Sequence, residues 1–306
     1  MILVTGSGGL LGANFVLTAL HRQREVAATF HRNAIRIPGV SALPLDITDR
    51  DSVERVIASL EPEWIVHCAA VTNVDWCEDH PAECHSVNEE ATRTLARAAR
   101  DHGSSMTYIS TDAVYRGSDG NYDEGSPADP VNVYGRSKLA GENAVREVLG
   151  DPLILRTNIF GWNLQPKHSI AEWFLSGLEA GKRVPGFTDV LFSPLLVNSL
   201  SEIILDLMDA RKTGTFNAGC VRPCSKYEFG RMLAETFHLD PGWVQPVRLA
   251  DTHLRAPRPL DTSLDTRKIS HALGRGMPDV GSQLARFKYL RDSGFAGELR
   301  DSWGGS

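Results

Sequence analysis

Residues 2–12 constrain this chain more than any other stretch. Ile2 to Thr5 reads as a short apolar strand that breaks at Gly6, and the run Gly6-Ser7-Gly8-Gly9-Leu10-Leu11-Gly12 opens a helix over Leu10 to His21. That helix carries apolar Leu11, Phe15, Val16 and Leu20 on one side. Glycine at 6, 9 and 12 gives a tight turn, close backbone approach to a pyrophosphate, and close packing of helix on strand. The helix start then points free N–H groups at the phosphates. Three glycines alone would say little. Between a strand at residue 2 and an amphipathic helix, they specify a dinucleotide site, with Gly6, Gly9, Leu10, Leu11 and Gly12 as its contacts.

The same alternation continues. Val26 to Phe30 and Ala42 to Leu45 read as strands, Asp51 to Leu60 as a helix, Trp64 to Cys68 as a buried strand and Pro81 to Asp101 as a long helix. Pro81 sits in that helix's first turn, where its missing N–H does no harm. Met106 to Ser110, a helix over Val133 to Leu149, and Leu153 to Arg156 complete the series. Strand and helix alternating in this way predict an α/β fold, a Rossmann-type doubly wound parallel sheet covered on both faces. Ligands bind such a sheet beyond the C-terminal ends of its strands.

After residue 157 the pattern turns irregular. Helices over Ser169 to Ala180, Asn198 to Ala210 and Lys226 to Phe237 are separated by Gly- and Pro-containing stretches, and Gly214 to Ala218 returns to the sheet. The expected division is a nucleotide-binding domain of residues 1–157 joined by about 187–218, and a smaller C-terminal substrate-binding lobe of 158–186 and 219–306. One helix is expected near Gln283 to Ser293, and a loose tail from Asp301 to Ser306.

Bulk properties narrow the function. A length of 306 residues fits one large domain and a smaller one. The net charge of −6 excludes a general nucleic-acid binder, which needs a basic face. No run of about 18 apolar residues exists to span a membrane, and no basic leader precedes the first strand. A cytoplasmic protein is expected. Cys68, Cys77, Cys84, Cys220 and Cys224 lack zinc-ribbon spacing; Cys77, Cys84 and His85 stand too far apart for an ordinary ligand set, so reduced thiols and no metal are expected.

The end of the second strand distinguishes nicotinamide cofactors. A carboxylate there bonds the ribose 2′-hydroxyl, whereas a basic group accepts a 2′-phosphate. The segment reads Thr29-Phe30-His31-Arg32-Asn33, without an acid. NADP is therefore expected, with Arg32 and His31 at the phosphate and NAD as the alternative.

Ser110-Thr111-Asp112 follows the fifth strand, and Tyr134-Gly135-Arg136-Ser137-Lys138 opens the next helix. Tyrosine and lysine four apart share a helix face. An ammonium beside a phenol is expected to lower the phenol's pKa. The tyrosine can then deliver a proton to a carbonyl oxygen, with the Thr111 hydroxyl bonding the same oxygen. Thr111, Tyr134 and Lys138 are the candidate catalytic residues.

With these residues in place, the chain resembles the extended short-chain dehydrogenase/reductases, in particular the dTDP-4-dehydrorhamnose reductase family, over roughly residues 1 to 270. Beyond the glycine loop and the Thr–Tyr–Lys set, the resemblance is carried by Leu45-Asp46-Ile47-Thr48-Asp49 and by His67-Cys68-Ala69-Ala70-Val71-Thr72-Asn73-Val74-Asp75. Val87-Asn88, the run from Gly120 through Pro130, Leu155-Arg156-Thr157 and Arg258-Pro259 add to it. It implies that Asp46 and Ile47 meet the adenine side, and that Ala69, Ala70 and Thr72 line the cofactor channel with Asn88 near it. It further implies that Lys138 and Tyr134 hold the nicotinamide end, and that Thr111, Asp112, Ala113, Asn158 and Arg258 face the substrate. A family member would reduce the 4-keto group of a dTDP-6-deoxyhexose with NADPH, and the superfamily suggests a homodimer.

Two departures bear on the sugar. The family usually has tyrosine where Ala113 follows Ser-Thr-Asp, and tryptophan near the sugar just after the Arg-Thr pair, where this chain reads Asn158-Ile159. Both remove aromatic surface. Ala113 also argues against the related dehydratases, which place glutamate there. Epimerases share the Tyr and Lys and remain an alternative. So does a non-catalytic NADP-binding protein like the regulatory β subunit of methionine adenosyltransferase, which Gly214-Thr215-Phe216 and Ser225-Lys226-Tyr227-Glu228 also resemble. His67 is expected to be a packed core residue. Lys182, Arg183, Arg255 and Arg258 are either diphosphate ligands or solvated charge, and Trp162 and Trp173 are expected to pack in the lobe.

Overall fold

The computed structural model describes residues 1–32 and 34–302. Its first half runs β1 (Ile2–Thr5), α1 (Leu10–His21), β2 (Val26–Phe30), β3 (Ser41–Pro44), α2 (Arg50–Leu60), β4 (Trp64–His67) and α3 (Val74–Asp79). It continues with α4 (Pro81–His85), a π turn (Ser86–Glu90), α5 (Ala91–Asp101), β5 (Ser105–Thr111), α6 (Val133–Leu149) and β6 (Leu153–Phe160). The second half holds α7 (Ile170–Glu179), β7 (Val184–Phe187), β8 (Leu191–Phe192), β9 (Pro194–Leu196), α8 (Val197–Asp209), β10 (Gly214–Ala218) and β11 (Cys224–Ser225). It closes with α9 (Lys226–Thr236), β12 (Val244–Val247), α10 (Arg267–Leu273), α11 (Val280–Asp292) and α12 (Phe295–Asp301).

The main sheet has the order β3-β2-β1-β4-β5-β6-β10, every pair parallel. Chain direction along the sheet reverses between β1 and β4, so the crevice of this doubly wound sheet opens at their C-terminal ends. Both faces are covered. One core joins Val4, Phe15, Val16 and Leu155 to Phe160, Phe229 and Phe287; the opposite face packs Leu3, Ile57, Ile65, Leu95 and Tyr108. The first of these cores crosses the expected division near residue 157, and a chain of aromatic contacts through Phe174, Phe229, Phe160 and Phe287, the last two steps edge-to-face, ties the second half to the sheet.

Several boundaries differ from those expected. β6 was predicted to stop at Arg156 but runs to Phe160, because Asn158, Ile159 and Phe160 pair with Pro194, Leu195 and Leu196 of β9, a partner distant in sequence. The helix expected over Pro81 to Asp101 is interrupted by the π turn, whose wide ring accommodates one extra residue. Three short helices went unpredicted. In α3, Asn73 accepts a hydrogen bond from the Trp76 N–H and caps the start. α10 and α12 are each seven residues long, too short for a clear period, so the C-terminal region has more than the one helix expected there. Asp301 ends α12 and Ser302 is buried, so the loose tail is corrected at those residues; its remainder, 303–306, lies outside the described residues. Among the described residues, no helix is long and apolar enough to cross a membrane.

Candidate active site

The glycine loop is shaped by close contacts. Gly6 adopts φ +67°, and a Cβ there would lie 2.6 Å from the Ala69 backbone. A Cβ on Gly12 would lie 2.4 Å from the Gly6 carbonyl oxygen, so α1 packs against the loop only because that position is bare. Ser7 pins the loop: its hydroxyl donates to the Val4 carbonyl and its N–H donates to the Thr29 carbonyl. α1 begins at Leu10 with no side-chain cap, which leaves its first N–H groups free for an anion. From across the cleft, the Gln165 amide donates to the Gly8 carbonyl at 2.7 Å.

The loop opens into a cleft of about 660 Å³ at the strand ends. Gly9, Leu10, Leu11, Gly12, Ala70, Thr72, Thr111, Asp112, Ala113, Tyr134, Lys138, Asn158 and Arg258 all line it. Residues assigned from sequence to cofactor, chemistry and substrate thus meet in one space, although they come from separate strand ends. Gly6, Ala69 and Asn88 stand behind its wall. Asn88, carried by the π turn, is fully buried; it accepts from the Val71 N–H and donates to the Val71 carbonyl and the Ser137 hydroxyl. It therefore positions the channel loop and α6 rather than facing the cleft. His31, Arg32, Asp46 and Ile47 lie past the ends of β2 and β3, outside the cleft, with His31 and Arg32 exposed. The carboxylate of Asp46 is 3.6 Å from His31 Nε2, so an acid does stand near the second strand end, delivered by β3 rather than β2.

The polar centre is built by β5 and α6. Asn132 caps α6 by accepting from the Gly135 N–H, which sets Tyr134 in the first turn and Lys138 one turn on. Tyr134 is half-buried and Lys138 almost fully buried. Burial pushes the Lys138 ammonium down to about 7, opposed by Glu142 another turn along, and the ammonium lies 4.1 Å above the Tyr108 ring. The expected lowering of the Tyr134 pKa is corrected: burial raises it, the neighbouring Thr111 hydroxyl opposes this, and desolvation wins. The phenol is thus held in its protonated form at neutral pH, the form able to give a proton.

Thr111 ends β5 and accepts from the Ala113 N–H, while its own hydroxyl donates to Asp112 Oδ1 at 3.2 Å. Asp112 is buried and its other oxygen accepts from Asn158 at 2.9 Å and Thr262 at 2.6 Å. Burial raises its carboxyl pKa despite these bonds. Arg258 is held at the cleft edge by Asp75, 2.9 Å away, and Arg255 pairs with Asp79 on the surface.

Beneath this centre, Glu142 accepts from Ser110, Arg146 and both nitrogens of the Arg156 fork, and Arg156 donates to Tyr115. Burial alone would raise the Glu142 pKa, but the Arg156 hydrogen bonds and charge hold it below the usual range. His67 is buried between Thr5 and Thr92, with its pKa driven down to about 3 by burial, and is a neutral core residue as expected. Trp162 stacks on Phe287 at 4.1 Å; Trp173 packs edge-on to Phe174 but is 43% exposed. Lys182 and Arg183 are exposed and do not line the cleft. Among the described residues, no group of three or more His, Cys, Asp or Glu is arranged to hold a metal.

Sequence reading missed Gln165, Lys167, Phe187, Phe192, Lys226 and Thr262 in the cleft wall. Local patterns carry no sign of them, because segments distant in sequence from the strand ends bring them there.

The family described as "RmlD substrate binding domain" matches residues 1–289. The probable low-salt glycan biosynthesis reductase Agl14 of Haloferax volcanii is 33% identical over 286 residues, covering 92% of this chain and 95% of that protein. A dTDP-4-dehydrorhamnose reductase of Mycolicibacterium smegmatis is 30% identical, over 89% of this chain and 80% of its own. Methionine adenosyltransferase 2 subunit beta of Bos taurus is 28% identical, over 95% and 88%. Among solved structures, the dTDP-4-dehydrorhamnose reductase of Bacillus anthracis in complex with NADP superposes with a TM-score of 0.83 at 26% identity, covering 94% of this chain and 98% of that one.

Proposed function

This chain belongs to the RmlD substrate binding domain family, and on that premise we propose that it is an NADPH-dependent reductase of a nucleotide-linked 4-keto-6-deoxysugar, of the dTDP-4-dehydrorhamnose reductase kind. The observation that carries this reading is the meeting of Thr111, Tyr134 and Lys138 with the bare glycine loop in one cleft. NADP is the cofactor that the residues favour, with NAD as the alternative. The residues fit such a dinucleotide: side chains at Gly6 or Gly12 would close the approach, and the uncapped α1 offers N–H groups to a pyrophosphate. Asp46 and Ile47 flank the adenine side, and Arg32 and His31 take the 2′-phosphate. Ala70 and Thr72 would line the channel, with the Ala69 backbone behind it against Gly6.

When bound, the reduced nicotinamide supplies a hydride to the keto carbon. The chain's own work is on the oxygen. Tyr134, held protonated by its burial, gives its proton to the keto oxygen, while Thr111 turns its hydroxyl from Asp112 to donate to the same atom. Lys138, one turn along the same helix, stabilises in its protonated form the phenolate left once the proton has gone. Asp112, Ala113, Asn158 and Arg258 shape the sugar side. We further place residues 1–157 with 187–218 in the cofactor half and 158–186 with 219–306 in the substrate half. A soluble nucleotide-sugar substrate fits a cytoplasmic enzyme, and a homodimer is the assembly to expect.

The test is cofactor oxidation on addition of dTDP-4-dehydrorhamnose. Wild type should turn over, and Tyr134→Phe should lose about 10²- to 10⁴-fold in kcat with NADPH affinity unchanged. Tight NADPH binding without turnover in wild type would replace this reading with that of a regulatory subunit, and retained activity in the variant would remove the mechanism.

A further inference from the structure

Lys226 is absorbed by none of the roles assigned so far. It is the first residue of α9, and the cap before it is complete: the Ser225 hydroxyl accepts from the Glu228 N–H, and Glu228 reaches back to the Ser225 N–H. The Lys226 N–H donates to the Val190 carbonyl, so the backbone at this point is fixed. Its side chain lines the cleft on the side of Asp112 and Thr262, with the ammonium 3.1 Å from the centre of the Phe192 ring. Among the described residues, it forms no ion pair within 4.0 Å.

The neighbouring groups leave this ammonium as the available donor. Asp112 is nearby and already accepts from Thr111, Asn158 and Thr262, and Lys226 makes no ion pair with it within 4.0 Å. An ammonium carries three donors and no acceptor, so it seeks an oxygen. Thr157 lines the same cleft, and among the described residues its buried hydroxyl has no hydrogen-bond partner. Lys226 and Thr157 thus both belong to the cleft wall, the Thr157 hydroxyl buried within it. Phe187 and Phe192 supply apolar surface beside them, and alternating apolar and donor groups match a hexose, which presents C–H faces and hydroxyl oxygens together.

Resting on the proposed reductase reading, we infer that Lys226 is a substrate-specificity residue whose ammonium donates a hydrogen bond to a ring hydroxyl of the hexose. The charge of Asp112 offsets that of the lysine, which favours a neutral hydroxylated sugar over an anionic one. Burial pulls the ammonium down to about 8, with Asp112 and the Cys224 thiol opposing, so it remains largely charged at neutral pH.

The test compares wild type, Lys226→Met and Lys226→Arg as full chains. Lys226→Met should raise KM for dTDP-4-dehydrorhamnose by about tenfold or more, with a smaller change in kcat. It should weaken binding of dTDP-rhamnose, measured by calorimetry without turnover, by a similar factor. NADPH affinity and the thermal midpoint should stay at their wild-type values, and Lys226→Arg should recover part of the loss. Analogues of the sugar lacking single ring hydroxyls should include one that wild type binds more weakly and that Lys226→Met binds no worse than the parent sugar.

Equal KM and equal dTDP-rhamnose affinity in wild type and Lys226→Met would overturn the assignment and leave the reductase reading standing. A parallel loss of NADPH affinity or thermal stability would make the residue structural and overturn it too. A wild-type chain that neither turns over nor binds the dTDP-sugars would overturn the reductase reading, and this assignment with it.

Discussion

At the residue scale, the proposed chemistry depends on how burial sets protonation. Tyr134 and Lys138 are pushed in opposite directions by the same desolvation, the phenol towards keeping its proton and the ammonium towards losing it. The phenol therefore starts with its proton in place, and the lysine charge varies with pH near neutrality. Arg32 is the other informative residue. It is exposed, and its charge helps hold the nearby Asp46 carboxyl below the usual range. Arg32→Ala should weaken NADPH by about tenfold while changing NADH little, as measured by fluorescence titration; equal effects on both cofactors would remove the argument for NADP. That Thr111, Tyr134 and Lys138 would share one site was legible because the signals are local: two residues four apart on a helix, and a hydroxyl at a strand end. Lys226 and Thr262 were not legible as cleft residues, since only the closed chain brings them beside Asp112. Asp46 was read as an adenine contact, but its closeness to His31 depends on the pairing of β3 with β2.

At the element scale, the glycine loop and α1 act as one piece. Gly12→Ala forces a methyl against the Gly6 carbonyl, and such overpacking costs about 1–3 kcal/mol. The helix start should then move off the loop, and NADPH affinity should fall by about tenfold or more. Unchanged titration curves would mean that the loop holds no phosphate. The alternating strands and helices of the first half were readable because each carries its own period and its own breaks. The end of β6 was not, because Asn158 and Ile159 extend the strand only in the presence of β9. The π turn at Ser86–Glu90 was equally hidden. Its residues read as helix, and the widening appears only where Asn88 must reach both Val71 and Ser137.

At the scale of the whole molecule, the buried cluster of Glu142 and Arg156 joins α6, β5 and β6, and Tyr115 extends it to Asn217 of β10. Glu142→Gln leaves the Arg156 charge without its counter-ion, and breaking a buried pair in this way costs about 3–5 kcal/mol. The midpoint of thermal unfolding should fall by several degrees; an unaltered midpoint would show that Arg156 finds another partner. The composition and the parallel alternation pointed to this architecture, but the sharing of one core across residue 157 depends on aromatic contacts between distant segments.

That long β6 has a mechanical outcome. Its first part belongs to the central sheet and its last three residues to the pairing with β9, so one continuous strand carries Thr157, Asn158 and Ile159 into the cleft wall. The two sides of the cleft therefore share a strand, and the Gln165 amide, bonded to the Gly8 carbonyl, ties the loop after that strand to the glycine turn.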